Sequence, residues 1–551
     1  MSSRKGKRSL RAVPERSQTD TTLSKGCFEV KATDLLGRVG RLYTKSGTLD
    51  TPALLPVVHP INQEIDLNTI KKIGFKAVMT NAYITLKRLG EEASKRGIHS
   101  IIGFDGIIMT DSGGYQVLEY GEVDVTPAKM ALFQEEIGSD IAVVLDRPTG
   151  FSRNRAFAEQ TVKETLKAAK ETIEARKRGD TLWVGPIQGG LFTDLVAESA
   201  RSTSTLPFDL HALGSPTEVM KSYHYRHLVK MIMAAKTNIP LNRPLHLFGA
   251  GHPLTMPLAV ALGCDLFDSA SYILYAKDDR YLTPTGTLKL DEIAELACPC
   301  PICTQHTLNE IRVSEKAERI RLLATHNLYL LQSELKQIRQ AILDGRLWEI
   351  VALKARSHPR LWSAFQDLTK YTKLLEDGTP LYKRRAIYLY TKEDLRRPEV
   401  QRAVAKLRRD YHPKKKHTLI IFTLLSEERV LATPFCRRLL EEVEDHQLLY
   451  LSPIYRLIPM ELTEIYPLSQ TLYPSSLNNL PTQTLHNEAK RIIEEGGYKQ
   501  IVAVCLNKHL HAKLATLAKR LNIKLLDYCR RGSKGQKEAA EEVLRTIHAA
   551  P

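Results

Sequence analysis

From residue 50 the chain falls into a regular rhythm. Short apolar runs end in Gly, Asp, Asn or Gln, and stretches with helically spaced apolar residues follow them. The runs are "PALLPVV", "KAVMT", "GIIMT", "IAVVL", "LWVGPI", "DLHAL", "LHLFG" and "DLFD". Between them lie segments such as "RAFAEQTVKETLKAAKETIEARKR" and "HYRHLVKMIMAAK", whose apolar residues return every three or four positions, one face of a helix. Eight alternating β/α units over about 230 residues predict an α/β protein built on a closed (β/α)8 barrel. A doubly wound open sheet is the alternative. It is weakened by the absence of a G-x-G-x-x-G turn or a P-loop from the sequence.

In such barrels the active site forms at the C-terminal ends of the strands. The residues just after each run therefore carry the interest: Asn81, "DSGGYQ" (Asp111–Gln116), Asp146 of "LDRPTG", "QGG" (Gln188–Gly190), "LGSP" (Leu213–Pro216), "GAGHP" (Gly249–Pro253) and Asp268. Any one strand-end aspartate is more often a helix cap or turn residue than a catalyst. Three of them on one face, with Gln188 and several glycine turns, predict a polar pocket in which backbone can approach a flat ligand closely. Asp111 and Asp268 are the carboxylates best placed for chemistry.

The segment "ACPCPICTQH" adds a second centre. Cys298, Cys300 and Cys303 follow the spacing C-x-C-x2-C, while the remaining cysteines, Cys27, Cys264, Cys436, Cys505 and Cys529, are scattered. No signal peptide and no membrane-length apolar run is evident, which predicts a reducing, cytoplasmic setting where clustered thiols bind metal. Zinc is the expected ion, held in a closed structural site completed by a histidine, either His306 or His326. The bland alternative is three free cysteines in a loop.

Charge changes the picture only where it is concentrated. Of the formal net charge of +17, residues 1–26 contribute seven basic against two acidic residues, and residues 353–417 eighteen against seven. Such localisation predicts a polyanion footprint, most simply nucleic acid, against the alternative of a solvated basic face. Residues 1–26 read as a disordered basic tail. The remaining divisions expected are 27–352 for the barrel, with a metal subdomain at about 290–345, 353–417 for a basic helical linker, and 418–551 for a small α/β domain.

"MTDSGGYQV", "FGAGHP", "CDLFDSASYILYAKDDRYLT" and the cysteine cluster together resemble the tRNA-guanine transglycosylases. "ALGSPTEVM" and the C-terminal extension are similar to the archaeal type, which works in archaeosine biosynthesis. The resemblance is strong over residues 27–345 and weaker over "SPIYRLIPMELTEIYPLSQTLYP". It implies a (β/α)8 barrel with a zinc subdomain. It also implies a base exchange that replaces guanine 15 in the tRNA D-arm by 7-cyano-7-deazaguanine (preQ0), through an aspartyl-ribose intermediate. By motif, Asp268 would be the nucleophile and Asp111 the general acid/base. Ser112, Asp146 and Gln188, beside Gly189, would bind the purine edge, with backbone at Ala212, Leu213 and Gly214. His326 would be the fourth zinc ligand. The chemistry is coherent: breaking a glycosidic bond builds positive charge on the sugar, which a carboxylate stabilises and captures while a second acid protonates the departing base.

Archaeal members usually end in a compact RNA-binding PUA domain. Here "YKQIVAVCLNK", "IKLLDYC" and "KGQKEAAEEVLRTIHAA" read as the close of an α/β domain, and nothing of PUA length follows. Expected partners are therefore tRNA, the free base, a separate PUA-bearing chain, and further copies of this chain as a dimer or hetero-complex. The rival readings are a catalytically inactive RNA-binding or scaffold subunit, insertion of the base into DNA, and a carbohydrate glycosidase. The pairing of Asp111 with Asp268 argues against the first, the archaeal-like extension against the second, and the zinc cluster and basic insert against the third.

Overall fold

The computed structural model describes residues 26–114, 124–424, 429–442, 444–474, 476–477 and 481–548. The expected basic tail, apart from Gly26, and Tyr115 and Gln116 of the glycine motif lie outside the described residues.

All eight apolar runs are strands. They are β4 (Ala53–Pro56), β5 (Ala77–Asn81), β6 (Ile107–Asp111), β7 (Ile141–Val143), β8 (Leu182–Ile187), β9 (Leu210–Leu213), β10 (Leu245–Leu247) and β11 (Leu266–Ser269). Each pairs in parallel with its neighbours in one sheet, and β11 pairs with β4. The remaining seam, between β4 and β5, is bridged just past β4, where Val57 pairs with Met79 and the Val58 N–H donates to the Met79 carbonyl at 2.8 Å. The expected helices form at Arg155–Ala175 and Tyr225–Lys236.

Strand periodicity then fixes what faces inward. Ala53 and Leu55, Ala77 and Met79, Ile107 and Met109, and Leu182 and Val184 share one buried cluster, the barrel interior. The intervening Leu54, Val78 and Ile108 belong instead to the large cluster made with the surrounding helices. Sequence periodicity did not reveal a preceding antiparallel sheet of β1 (Phe28–Asp34), β2 (Gly37–Thr44) and β3 (Gly47–Thr51). Its Leu42 and Leu49 join the interior cluster and close the end of the barrel opposite the C-terminal strand ends.

After the barrel comes the hairpin β12 (Arg280–Thr283) and β13 (Gly286–Lys289), and then the helix Lys316–Asp344. A short parallel pair, β14 (Ile387–Tyr388) and β18 (Thr471–Leu472), lies further along. The C-terminal region is a second large sheet made of β15 (Thr418–Phe422), β16 (His446–Ser452), β17 (Arg456–Pro459), β19 (Gln500–Cys505) and β20 (Lys524–Asp527), ordered β17-β16-β15-β19-β20. Only β17 runs antiparallel to its neighbour. Along β15, Ile420 and Phe422 face one apolar cluster and Leu419 and Ile421 another, so helices cover both faces.

Residues 353–417 do not form a unit of their own. Leu361, Phe365 and Leu375 are part of the barrel's outer core, whereas Ile387, Val400 and Leu407 belong to the C-terminal core. Several basic residues in and beside this stretch, expected to form a polyanion footprint, are internal. Lys354 donates to Glu334 at 2.6 Å and Lys383 to Asp34 at 2.7 Å. Arg397, with no exposed surface, pairs with Glu349 at 2.6 Å and with Glu399. These cations are buried because carboxylates meet them there, a match that no local stretch of sequence reveals. Lys414 and Lys415 remain exposed. Among the described residues no helix is long and apolar enough to cross a membrane.

Candidate active site and metal centre

The inward register of the strands continues past the apolar layers and places polar groups at the barrel mouth. Asn81 follows Met79 by two residues, Asp111 follows Met109, Gln188 stands four beyond Val184, and Asp268 follows Leu266. All four line one cavity of about 1500 Å³, joined by Asp146 and Gly214.

Asp111 is half-buried and accepts from Asn81 Nδ2 at 3.3 Å; Asn81 Oδ1 in turn caps the next helix through the Ile84 N–H at 2.8 Å, which fixes the amide's orientation. Burial, then the charges of Asp146 and Asp268, push the Asp111 carboxyl up to about 7. Asp146 is pushed up to about 6 by burial, opposed by the Gln188 amide, whose Nε2 donates to Asp146 Oδ2 at 2.5 Å. The Gln188 Oε1 accepts from the Thr149 N–H at 3.1 Å and the Ser215 hydroxyl at 2.9 Å, so the amide has one consistent orientation and its NH2 must face Asp146. A Cβ on Gly214 would lie 2.1 Å from Gln188 Nε2, and one on Gly114 2.3 Å from Asp146 Oδ1. Only glycine leaves room for this pair.

Asp268 is held differently. Its Oδ1 accepts from His246 Nε2 at 2.9 Å and from the Gly249 N–H at 3.0 Å. His246 is fully buried and its Nδ1 meets no hydrogen-bond partner among the described residues, which places the ring proton on Nε2. His246 was not among the residues expected from sequence. Its signal was present: in "LHLFG" it is the single polar residue of an apolar run, at the inward position.

Four of the expected residues do not line the cavity. Ser112 is fully buried, does not line the cavity, and donates its hydroxyl to the Val144 carbonyl at 2.9 Å. Ala212 faces the interior core and Leu213 the helices. The Gly214 N–H donates to the Ile187 carbonyl at 2.9 Å, so from this segment Gly214 and Ser215, not strand backbone, reach the cavity. Gly189 likewise stands behind the wall, with its N–H on Thr149 Oγ1 at 3.1 Å.

The cysteine cluster converges. One ligand atom from each of Cys298, Cys300, Cys303 and His326 lies within 4.8 Å of the others, and His306, which ends the helix Pro301–Gln305, is not among them. His326 Nε2 is 2.9 Å from the Leu282 carbonyl, and its Nδ1 is 3.4 Å from both the Cys300 and Cys303 sulfurs. The backbone contact fixes the Nε2–H tautomer and leaves the Nδ1 lone pair for an ion, as metal-binding histidines require. Tyr281 stacks on the ring with centroids 3.7 Å apart. The donor set of three thiols and one oriented imidazole can hold a metal ion. It also braces the β12–β13 hairpin, whose Arg280 and Thr287 line the cavity.

The family described as "Queuine tRNA-ribosyltransferase" matches residues 34–360. A "tRNA-guanine(15) transglycosylase" of Sulfolobus acidocaldarius is 37% identical over 88% of this chain and 96% of its own. Those of Methanopyrus kandleri and Methanocaldococcus jannaschii are 39% and 41% identical, over 81% of this chain in each case and 95% and 68% of theirs. With the barrel, the mouth carboxylates and these matches together, the chain belongs to the tRNA-guanine transglycosylase family, as a glycosyltransferase of its archaeal type.

Proposed function

We propose that the chain exchanges guanine 15 in the tRNA D-arm for 7-cyano-7-deazaguanine, through a covalent bond between Asp268 and the ribose. The observation that carries this reading is the meeting of Asp111, Asp146 and Asp268 in one cavity, each in a different environment. Asp268 has Oδ1 anchored by His246 and Gly249, which leaves Oδ2 to approach the anomeric carbon. As the C–N bond breaks, its charge stabilises the oxocarbenium-like sugar and then captures it. Asp111, pushed up to about 7, is suited to protonate the departing guanine and to take a proton from the incoming base. Asp146, held against Gln188, accepts from the N–H donors along the guanine edge. A base without those donors would leave a buried carboxylate unpaired, which costs far more than forgoing some apolar burial.

The ion at Cys298, Cys300, Cys303 and His326 is zinc in this reading, from its S3N donor set and closed four-ligand arrangement. Its contribution is structural, through the hairpin bordering the cavity. The exposed Lys414 and Lys415 contribute to holding tRNA, and a tRNA substrate places the reaction in the cytoplasm. The test is to incubate the protein with unmodified tRNA and radiolabelled guanine or preQ0 and to map the label. Incorporation at position 15 supports the proposal; none, with correctly folded tRNA and metal-replete protein, sinks it.

A further inference from the structure

The C-terminal sheet brings together a second group of metal-binding side chains that the base exchange does not use. Cys505 is the last residue of β19 and Asp527 the last of β20, and the two are paired across the ladder. Cys529 follows two residues later, its N–H on Asp527 Oδ1 at 3.1 Å, and the Tyr528 N–H donates to the Cys505 carbonyl at 2.9 Å. These bonds fold the chain back so that both sulfurs and an Asp527 carboxylate oxygen lie within 4.8 Å of one another. His511, which opens the helix His511–Leu521, has Nε2 at 3.1 Å from Asp527 Oδ2. The place is the C-terminal edge of parallel strands, where open α/β sheets bind ligands.

We propose that Cys505, Asp527, Cys529 and His511 bind a second soft divalent cation, zinc by the chemistry of the donors. In a tetrahedral zinc site, bonds of about 2.0–2.3 Å put neighbouring donors about 3.3–3.8 Å apart. The His511–Asp527 separation of 3.1 Å already approximates one such edge. His511 stands outside the three mutually close donors and joins them by rotation of its half-buried side chain, while Asp527 is exposed and Cys529 half-buried. Both thiols are free, and a disulfide between them would give the carboxylate and imidazole no role. Two thiolates, a carboxylate and an imidazole make a borderline-soft set that favours zinc over magnesium or calcium. With four protein ligands the site is closed and structural: it pins the edge strand β20 and the helix start to β19.

The experiment is elemental analysis of the full-length protein after dialysis against zinc-containing and then zinc-free buffer. Two equivalents per chain are expected in the parent, falling to one in Cys529→Ser and to one in Cys298→Ser. In the Cys298→Ser protein, cobalt substitution should still give a thiolate-to-cobalt absorption band, which Cys529→Ser combined with it removes. Asp527→Asn, a surface change, serves if Cys529→Ser fails to fold, with the same loss of one equivalent. A single equivalent that vanishes with Cys298→Ser and survives Cys529→Ser overturns the proposal. So does a Cys505–Cys529 disulfide in the freshly isolated protein. One equivalent lost only with Cys529→Ser supports this site and sinks the other.

Discussion

Replacing Asp111 by asparagine separates the electrostatics of the site from its chemistry. The carboxyl ionises near 3.8 in the unfolded chain and near 7 in the folded one, because burial and the neighbouring carboxylates of Asp146 and Asp268 disfavour its charge. The folded pKa is raised, so this group's contribution to stability is greatest below pH 4 and is lost as pH rises toward 7. The whole displacement, about three pH units, corresponds to about 4 kcal/mol. Between pH 5 and pH 8 about 2–3 kcal/mol of it remains to be lost, since unfolded Asp111 is already ionised at pH 5. Asparagine keeps an acceptor for Asn81 Nδ2 but has nothing to ionise. The variant should therefore gain on the parent as pH rises. With an unfolding entropy of about 2.1 cal/mol/K per residue and a barrel of roughly 330 residues, the gain is about 4 °C in Tm. The assay is calorimetric unfolding of both proteins at pH 5 and pH 8, read at the barrel transition, alongside base exchange, which should be abolished in the variant. A Tm difference that does not change with pH, or that shrinks toward pH 8, would refute the reasoning that this carboxyl is destabilised by its surroundings.

Asp268→Asn should abolish exchange and any trapped protein–RNA adduct while leaving tRNA affinity unchanged, because docking rests on phosphate contacts; an adduct that persists on denaturing gels would move the nucleophile to Asp111. Cys300→Ala should lose the metal of the Cys298 cluster and destabilise the hairpin beside the cavity, read as one fewer equivalent by elemental analysis and faster proteolysis near residues 280–313; unchanged metal content sinks that assignment. Lys414→Ala with Lys415→Ala should weaken tRNA binding and lower the slope of log affinity against log salt by up to about one for each phosphate no longer neutralised, whereas an unchanged slope would leave these lysines a solvated face. Arg397→Ala takes the cation from Glu349 and leaves Glu399 with Lys383 alone in the interior, and should cost about 3–5 kcal/mol, seen as early unfolding at the junction of the two cores; a stability equal to the parent's would show the network to be dispensable.

By itself the sequence determined the barrel and the face on which its chemistry stands. Periodicity alone suffices for that: apolar runs of strand length between helical repeats close into a barrel, and a strand's period of two carries the inward register from Met79 to Asn81, from Met109 to Asp111 and from Leu266 to Asp268. The three cysteines were legible because their spacing is local. Their partner was not: residue spacing left His306 and His326 open, and only the packing of the helix Lys316–Asp344 against the β12–β13 hairpin brings His326 to the sulfurs and turns its ring. The same holds for each refinement of the site. Asp146 was legible as a residue beyond a strand end, but what holds it was not: the Gln188 amide from the next strand donates to it. Lys383 and Arg397 carry the same charge as Lys414 and Lys415, yet distant Asp34 and Glu349 bury the first two while the others stay in water. Local pattern fixes elements and their faces because covalent geometry sets the periods. Which charges meet and which stay solvated is decided by contacts between residues far apart in the chain, and only the folded structure holds those.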